Sequence, residues 1–166
     1  MDKKSFDVHN EHLLEIKRND LDACLKIKTL LLSQDLAVLC TRGDEAAYGS
    51  LVAFHVSDDV KNIIFATLKY TRKYHLLENC GQVAMLVDSR DQTHGEMSKI
   101  SAVTLNGMAK KMEGKHQIQE AKTKLLEKHN YLHELVSSDS CVFYHIEITR
   151  CLYVTHLQEV TEWIPT

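Results

Sequence analysis

Three adjacent residues carry the clearest chemical potential in this chain: Thr71, Arg72 and Lys73. They stand where a strand-like run ending at Thr67 gives way to a helix-like run, with Tyr74, Leu77 and Cys80 on one face and Gly81 as its stop. Thr71 is placed to cap that helix. The first N–H groups of a helix lack intrahelical partners and attract anions, and the macrodipole reinforces the effect. Arg72 can present a two-pronged fork to a phosphate, and Lys73 a mobile point charge. Cations in a first turn oppose the usual preference for Asp or Glu there, so this pair needs a reason. A bound phosphate is one reason, and a solvated surface turn is the plainer one.

Other chemical machinery is sparse. The chain contains no G-x-x-x-x-G-K-[ST] loop, no G-x-G-x-x-G and no G-x-S-x-G. Its carboxylates fall mostly in turns and on helix faces, so no residue is assigned a catalytic role. If the protein is catalytic, a cofactor carries the chemistry. The chain has 10 histidines but no H-E-x-x-H. His9 and His12 lie in a polar leader. His129 and His133 are four apart, but Lys128 and Glu134 beside them suggest an ordinary wet helix face. No metal is expected. The 5 cysteines (Cys24, Cys40, Cys80, Cys141 and Cys151) include no C-x-x-C pair and have apolar neighbours, which reads as buried free thiols.

The elements that must hold the cations are mostly strands. A helix is expected over 20–32, with Asp20 as cap and Leu21, Cys24, Leu25, Leu31 and Leu32 at helical spacing. Strands are expected over 36–41, 48–55 and 61–67, joined by short turns, which favours antiparallel pairing over βαβ units. After the short helix at 71–80 come strands at 82–88 and 99–112, with Gly107 marking a bulge or tight curvature. A helix follows over 115–128, then two strands, 141–149 and 151–158. Trp163-Ile164-Pro165 forms an apolar tail able to cover a site or a partner. The organisation is a polar leader at 1–19 and one domain at 20–166. The fold is mainly β, an antiparallel barrel of six or seven strands with flanking short helices, because closure removes exposed edges.

With 166 residues the chain suits one domain, and a balance of 20 Lys and Arg against 23 Asp and Glu, without long single-sign blocks, points away from nucleic acid or membrane surfaces. The start of the chain lacks the apolar stretch of a signal peptide, and no run approaches the roughly 20 apolar residues of a membrane span. A cytoplasmic protein is expected.

Five segments, in this order, resemble the pyridoxamine 5′-phosphate oxidase-like, FMN-binding split-barrel family. They are LAVLCT at 36–41, GSLVAF at 49–54, FATxxxTRKY at 65–74, QVAMLVD at 82–88 and AVTLNGMA at 102–109. The resemblance implies a split β-barrel working as a homodimer with FMN between the subunits. It places the FMN phosphate at Thr71, Arg72 and Lys73 with Thr67 nearby, and the ring beside Ser50, Leu51, Val52 and Ala53. The strand carrying Thr104 and Asn106 would line the site, from the same or the second subunit. The implied activity is flavin-dependent oxidoreduction of a small molecule, with a flavin-binding or sensing module and a haem-binding split barrel as alternatives. His145 and His156 are the candidate iron ligands. Authentic pyridoxamine phosphate oxidases carry an Arg-rich strand and an Arg-Gln pair where this chain reads Tyr48-Gly49-Ser50-Leu51-Val52 and Ser101-Ala102-Val103-Thr104. Those departures leave little to hold a second, substrate phosphate.

Overall fold

The computed structural model describes residues 17–18, 21–43, 46–93, 96–155 and 159–165. His9, His12, Asp20, His156 and nearly all of the 1–19 leader lie outside them. The elements run β1 (Lys17–Arg18), α1 (Leu21–Ser33), β2 (Leu36–Arg42), β3 (Ala47–Val56), β4 (Asn62–Leu68), α2 (Arg72–Asn79), β5 (Gln82–Asp88), β6 (Ala102–Lys111), α3 (Lys115–Lys128), α4 (His133–Val136), β7 (Cys141–Thr155) and β8 (Glu159–Trp163).

Six strands form a closed antiparallel barrel. Hydrogen-bonded neighbours run β7-β4-β3-β2-β5-β6, and β6 pairs back onto β7. The period-two pattern decides which side chains fill it: Ala37, Leu39 and Thr41 from β2, Ile63, Phe65 and Thr67 from β4, and Val83, Met85 and Val87 from β5 are buried. At the centre the rings of Phe65 and Tyr144 stack with centroids 5.4 Å apart and planes 11° from parallel. Each large apolar side chain so removed from water stabilises the fold by roughly 2–3 kcal/mol.

The two C-terminal strands expected on either side of residue 150 are one continuous strand. β7 keeps its even residues (Val142, Tyr144, Ile146, Ile148) in the barrel and then switches to odd ones (Cys151, Tyr153). The switch is a one-residue bulge. Gly107 pairs with Ile148 and Asn106 with Arg150, which leaves Thr149 unopposed, its hydroxyl donating to the Asn106 carbonyl at 3.2 Å. A change of phase looks like two strands in sequence, whereas the backbone runs straight through. Past the bulge β7 takes β8 as a partner, and β1 adds in parallel to β8. Trp163, expected in an apolar tail over a site or a partner, is a β8 residue paired with Cys151 and half-buried against the barrel core.

Two helical layers cover the barrel. Ile27, Leu30 and Leu31 of α1 join the main core, while α3 and α4 bury Ala121, Leu125, Val136 and Phe143 against Ile64 and Ala66 on the outer face. The last turn of α1 has no basic residue of its own. Lys128 supplies one from α3. Its ammonium donates to the carbonyls of Leu31 at 3.2 Å and Gln34 at 2.6 Å, and lies 4.3 Å from the Phe54 ring centre.

His129 is not on a wet helix face. α3 ends at Lys128, so His129 and His133 fall on different elements, and His129 is fully buried with Nε2 donating to the Phe54 carbonyl at 2.8 Å. The five cysteines are free. Only Cys151 is fully buried, its thiol pushed up to about 12 by that burial, and the other four are half-buried. No described helix is long and apolar enough to cross a membrane.

A Cβ at Gly107 would collide with the Glu147 carbonyl oxygen and lie 2.7 Å from Ile146 Cγ2. Gly107→Ala is therefore expected to lower stability by about 1–3 kcal/mol, the range for overpacking. Urea unfolding against wild type checks this, and an unchanged midpoint refutes the close contact.

Candidate flavin-phosphate site

β4 ends where the site begins. After Leu68 the chain turns through Lys69 and Tyr70, closed by Thr71 N–H donating to the Leu68 carbonyl at 3.0 Å. Thr71 then caps α2 from an extended backbone (φ −85°, ψ 150°). Its hydroxyl accepts from Tyr74 N–H at 3.3 Å, donates to the Leu68 carbonyl at 2.9 Å, and bonds Thr67 Oγ1 at 2.9 Å. One donor and two acceptor positions are thereby all in use. Thr71 shapes the turn and ties it to the barrel through Thr67.

The first turn of α2 has no acidic residue. Arg72 is exposed and stacks its guanidinium 5.1 Å from the Tyr48 ring centre. Lys73 is half-buried and donates to the Leu51 carbonyl at 3.0 Å. Burial holds the Lys73 ammonium below the usual lysine range. Among the described residues neither cation has a carboxylate partner. A carbonyl is a weak counterpart for a half-buried ammonium, and an anion would be a better one.

Beside them lies a cleft of about 150 Å³, walled by Leu51, Val52 and Ala53 of β3, Ala66, Thr67 and Leu68 of β4, Thr71, Lys73, Leu132 and Leu135. Leu51 is 63% exposed and also borders a larger cleft of about 400 Å³ with Leu36, Val38 and Leu86 on its wall and Asp88, Arg90 and Asp91 at its rim. Arg90 forks onto Asp88 with two contacts of 2.7 Å, which holds the Asp88 carboxyl below its usual range. Next to Leu51, Ser50 has a buried hydroxyl with no hydrogen-bond partner among the described residues.

The residues expected from sequence divide in two. Ser50, Leu51, Val52, Ala53, Thr67, Thr71, Arg72 and Lys73 come together where β3, β4 and α2 meet. Thr104 and Asn106 do not join them in one chain. They sit on β6, separated from β3 by β2 and β5, and Asn106 lines a separate recess with Gln82, Val83, Gly107 and Thr149. His145 pairs with Ile64 and Lys110, outside the cleft. Sequence reading missed Leu132 and Leu135, although their three-residue spacing before Val136 was a helical signal, and it missed Tyr48 beneath Arg72. The described residues contain no group of three or more His, Cys, Asp or Glu placed to hold a metal ion.

A family model described as pyridoxamine 5′-phosphate oxidase matches residues 25–155. The chain belongs to this family. No curated protein matches it. Similar solved structures include a haem-binding protein from Mycobacterium smegmatis (TM-score 0.77, 14% identity, covering 86% of this chain and 58% of that one). A protein related to general stress protein 26 from Clostridium acetobutylicum has a TM-score of 0.71 at 14% identity, covering 87% and 96%. A FAD-binding protein from Mesorhizobium loti has a TM-score of 0.61 at 19% identity, covering 78% and 90%. The likeness at these identities is one of fold, in proteins named for flavin in one case and haem in another. The chain spans little more than half of the Mycobacterium protein.

Replacing Thr71 with Ala removes the cap and the Thr67 bond together, and is expected to cost about 1–2 kcal/mol. A denaturant midpoint measures it. No change would mean that the turn is held by its backbone alone.

Proposed function

We propose that this chain is a flavin-binding split-barrel protein that takes FMN with its phosphate at the start of α2. The observation that carries the reading is the pair Arg72 and Lys73, held at a capped helix start beside a cleft with no carboxylate partner among the described residues. The donors suit a phosphate: among the described residues the guanidinium meets only the Tyr48 ring, and the ammonium keeps two N–H groups beyond its carbonyl contact. The ring needs more room than 150 Å³. The larger cleft across Leu51 offers about 400 Å³ with an apolar wall. The residues present therefore fit the cofactor.

When bound, FMN supplies electron or hydride transfer. The protein's part is to grip the phosphate with Arg72 and Lys73, hold the turn with Thr67 and Thr71, and seat the ring on β3. Among the described residues, Lys73 is the one ionisable side chain lining the smaller cleft. That favours binding or sensing over acid–base catalysis. Oxidoreduction of a small molecule remains the extension of this reading, decided by whether a defined acceptor rapidly reoxidises the reduced protein. A homodimer in the cytoplasm completes the picture, with the second copy bringing Thr104 and Asn106 to the ring. Leu36 and Leu51, 48% and 63% exposed, supply apolar contact area.

Haem is the second reading, favoured by the fold shared with the Mycobacterium protein. Against it, no histidine among the described residues lines either cleft beside Leu51. The visible spectrum of the purified protein separates the two: flavin bands support the first, and a Soret band supports the second. Adding FMN to colourless protein without binding rejects the flavin reading.

Replacing Arg72 and Lys73 together with Ala is expected to weaken FMN binding by about 100-fold or more, the worth of two charge-assisted contacts. Riboflavin, which lacks the phosphate, should be little affected. Equal affinity for FMN in wild type and double variant removes the phosphate site.

Lys73 loses its charge at a lower pH than an ordinary lysine, whose value is 10.5. The preference for FMN over riboflavin should therefore decline as pH rises, starting below 10.5. A preference that stays flat through that range would exclude Lys73 from the grip.

A further inference from the structure

α2 carries the cations at one end and a carboxylate clamp at the other. The helix has 8 residues and buries only Leu77. So short a helix does not hold its shape or direction without tertiary contacts. Glu78, in its last turn, collects three donors. Tyr144 donates to Oε1 at 2.8 Å, and Lys111 and Tyr74 reach Oε2 at 3.0 and 3.2 Å. These donors come from β7, β6 and α2 itself. The carboxyl group sits below its usual range, first because of the Tyr144 bond and then because of Lys111.

Tyr144 is only 1% exposed, and its ring is one half of the central stack with Phe65. Phe65 stands two residues before Thr67 on the same face of β4, and Thr67 holds Thr71. The helix is thus hung from one rigid unit at two points, Thr67 to Thr71 at its start and Tyr144 to Glu78 at its end. Glu78 stands six positions after Arg72, about 9 Å along the axis. Any tilt at the Glu78 end swings the cations relative to β3.

We propose that Glu78 is a positioning residue for the phosphate grip: it meets no ligand, and it fixes the direction of α2 so that Lys73 lines the cleft and Arg72 stands next to it over Tyr48. The inference rests on the FMN reading above and assigns that site a residue outside it. Removing Glu78 also strands the Tyr144 hydroxyl at the barrel mouth, whereas Gln at that position keeps an acceptor for it.

The test compares FMN and riboflavin affinities in wild type, Glu78→Ala, Glu78→Gln and Tyr144→Phe, with thermal unfolding as a check on the fold. Glu78→Ala is expected to weaken FMN about tenfold while changing riboflavin by less than about twofold, as for one misdirected charge-assisted contact. Glu78→Gln should recover most of that loss. Tyr144→Phe, which keeps the core ring, should shift the FMN-to-riboflavin ratio in the same direction, and it carries the test if Glu78→Ala does not fold. Equal losses for both ligands, or none for FMN, overturn the positioning role while leaving the FMN site standing. Failure of wild type to bind FMN overturns both.

Discussion

The β6–β7 seam is the constraint on which the rest of the molecule depends. Six strands become a barrel only if the last pairs with the first, and here β7 must serve β4 on one side and β6 on the other while passing from a curved to an open stretch. The extra, unopposed residue at Thr149, next to the pair of Ile148 with the close-packed Gly107, provides the bend. With the seam closed, Tyr144 is driven against Phe65, and the hydroxyl of that tyrosine emerges at the barrel mouth. The position of α2 follows from that point, and the position of the two cations follows from α2.

The electrostatics of the site are those of an incomplete arrangement. Several surface charges elsewhere are paired at little net gain, as with Lys110 and Glu147 or Lys124 and Glu120. At the start of α2 the fold does the opposite. It half-buries one ammonium against a carbonyl and lays a guanidinium on a phenol ring, with no carboxylate among the described residues to answer either. Placing positive charge against the dipole and partly out of water is unfavourable unless negative charge arrives from outside. The same logic distinguishes this arginine from Arg90, whose Nε and Nη2 both donate to Asp88.

Features governed by local rules were legible in the sequence. α3 spans Lys115–Lys128 as its apolar spacing indicates, Thr71 caps α2, and QVAMLVD is β5. The Gly107 irregularity was legible too, because a side-chain-free residue in a strand seldom lacks a reason. What escaped depended on distant partners. The bulge at Thr149 is defined by what lies across from it, so a phase change in one strand passed for a chain break. β8 was missed because Glu159-Val-Thr-Glu-Trp has too few apolar residues to announce a strand, and its edge pairing with β7 supplies the order. His129 carried no sign that the Phe54 carbonyl, 75 positions away, would claim it. The cation pair was legible as residue types, but its nearness to Leu51 was not, since that distance is set by the meeting of β3 and β4.

The Lys128 contact has a temporal side. Synthesis runs from α1 towards α3, so the helix leaves the ribosome long before the lysine that closes it, which lies 94 positions beyond Gln34. Until then water must serve the final carbonyls of α1. Nascent chains shorter than that lysine therefore carry a helix whose C-terminal end is still unsealed.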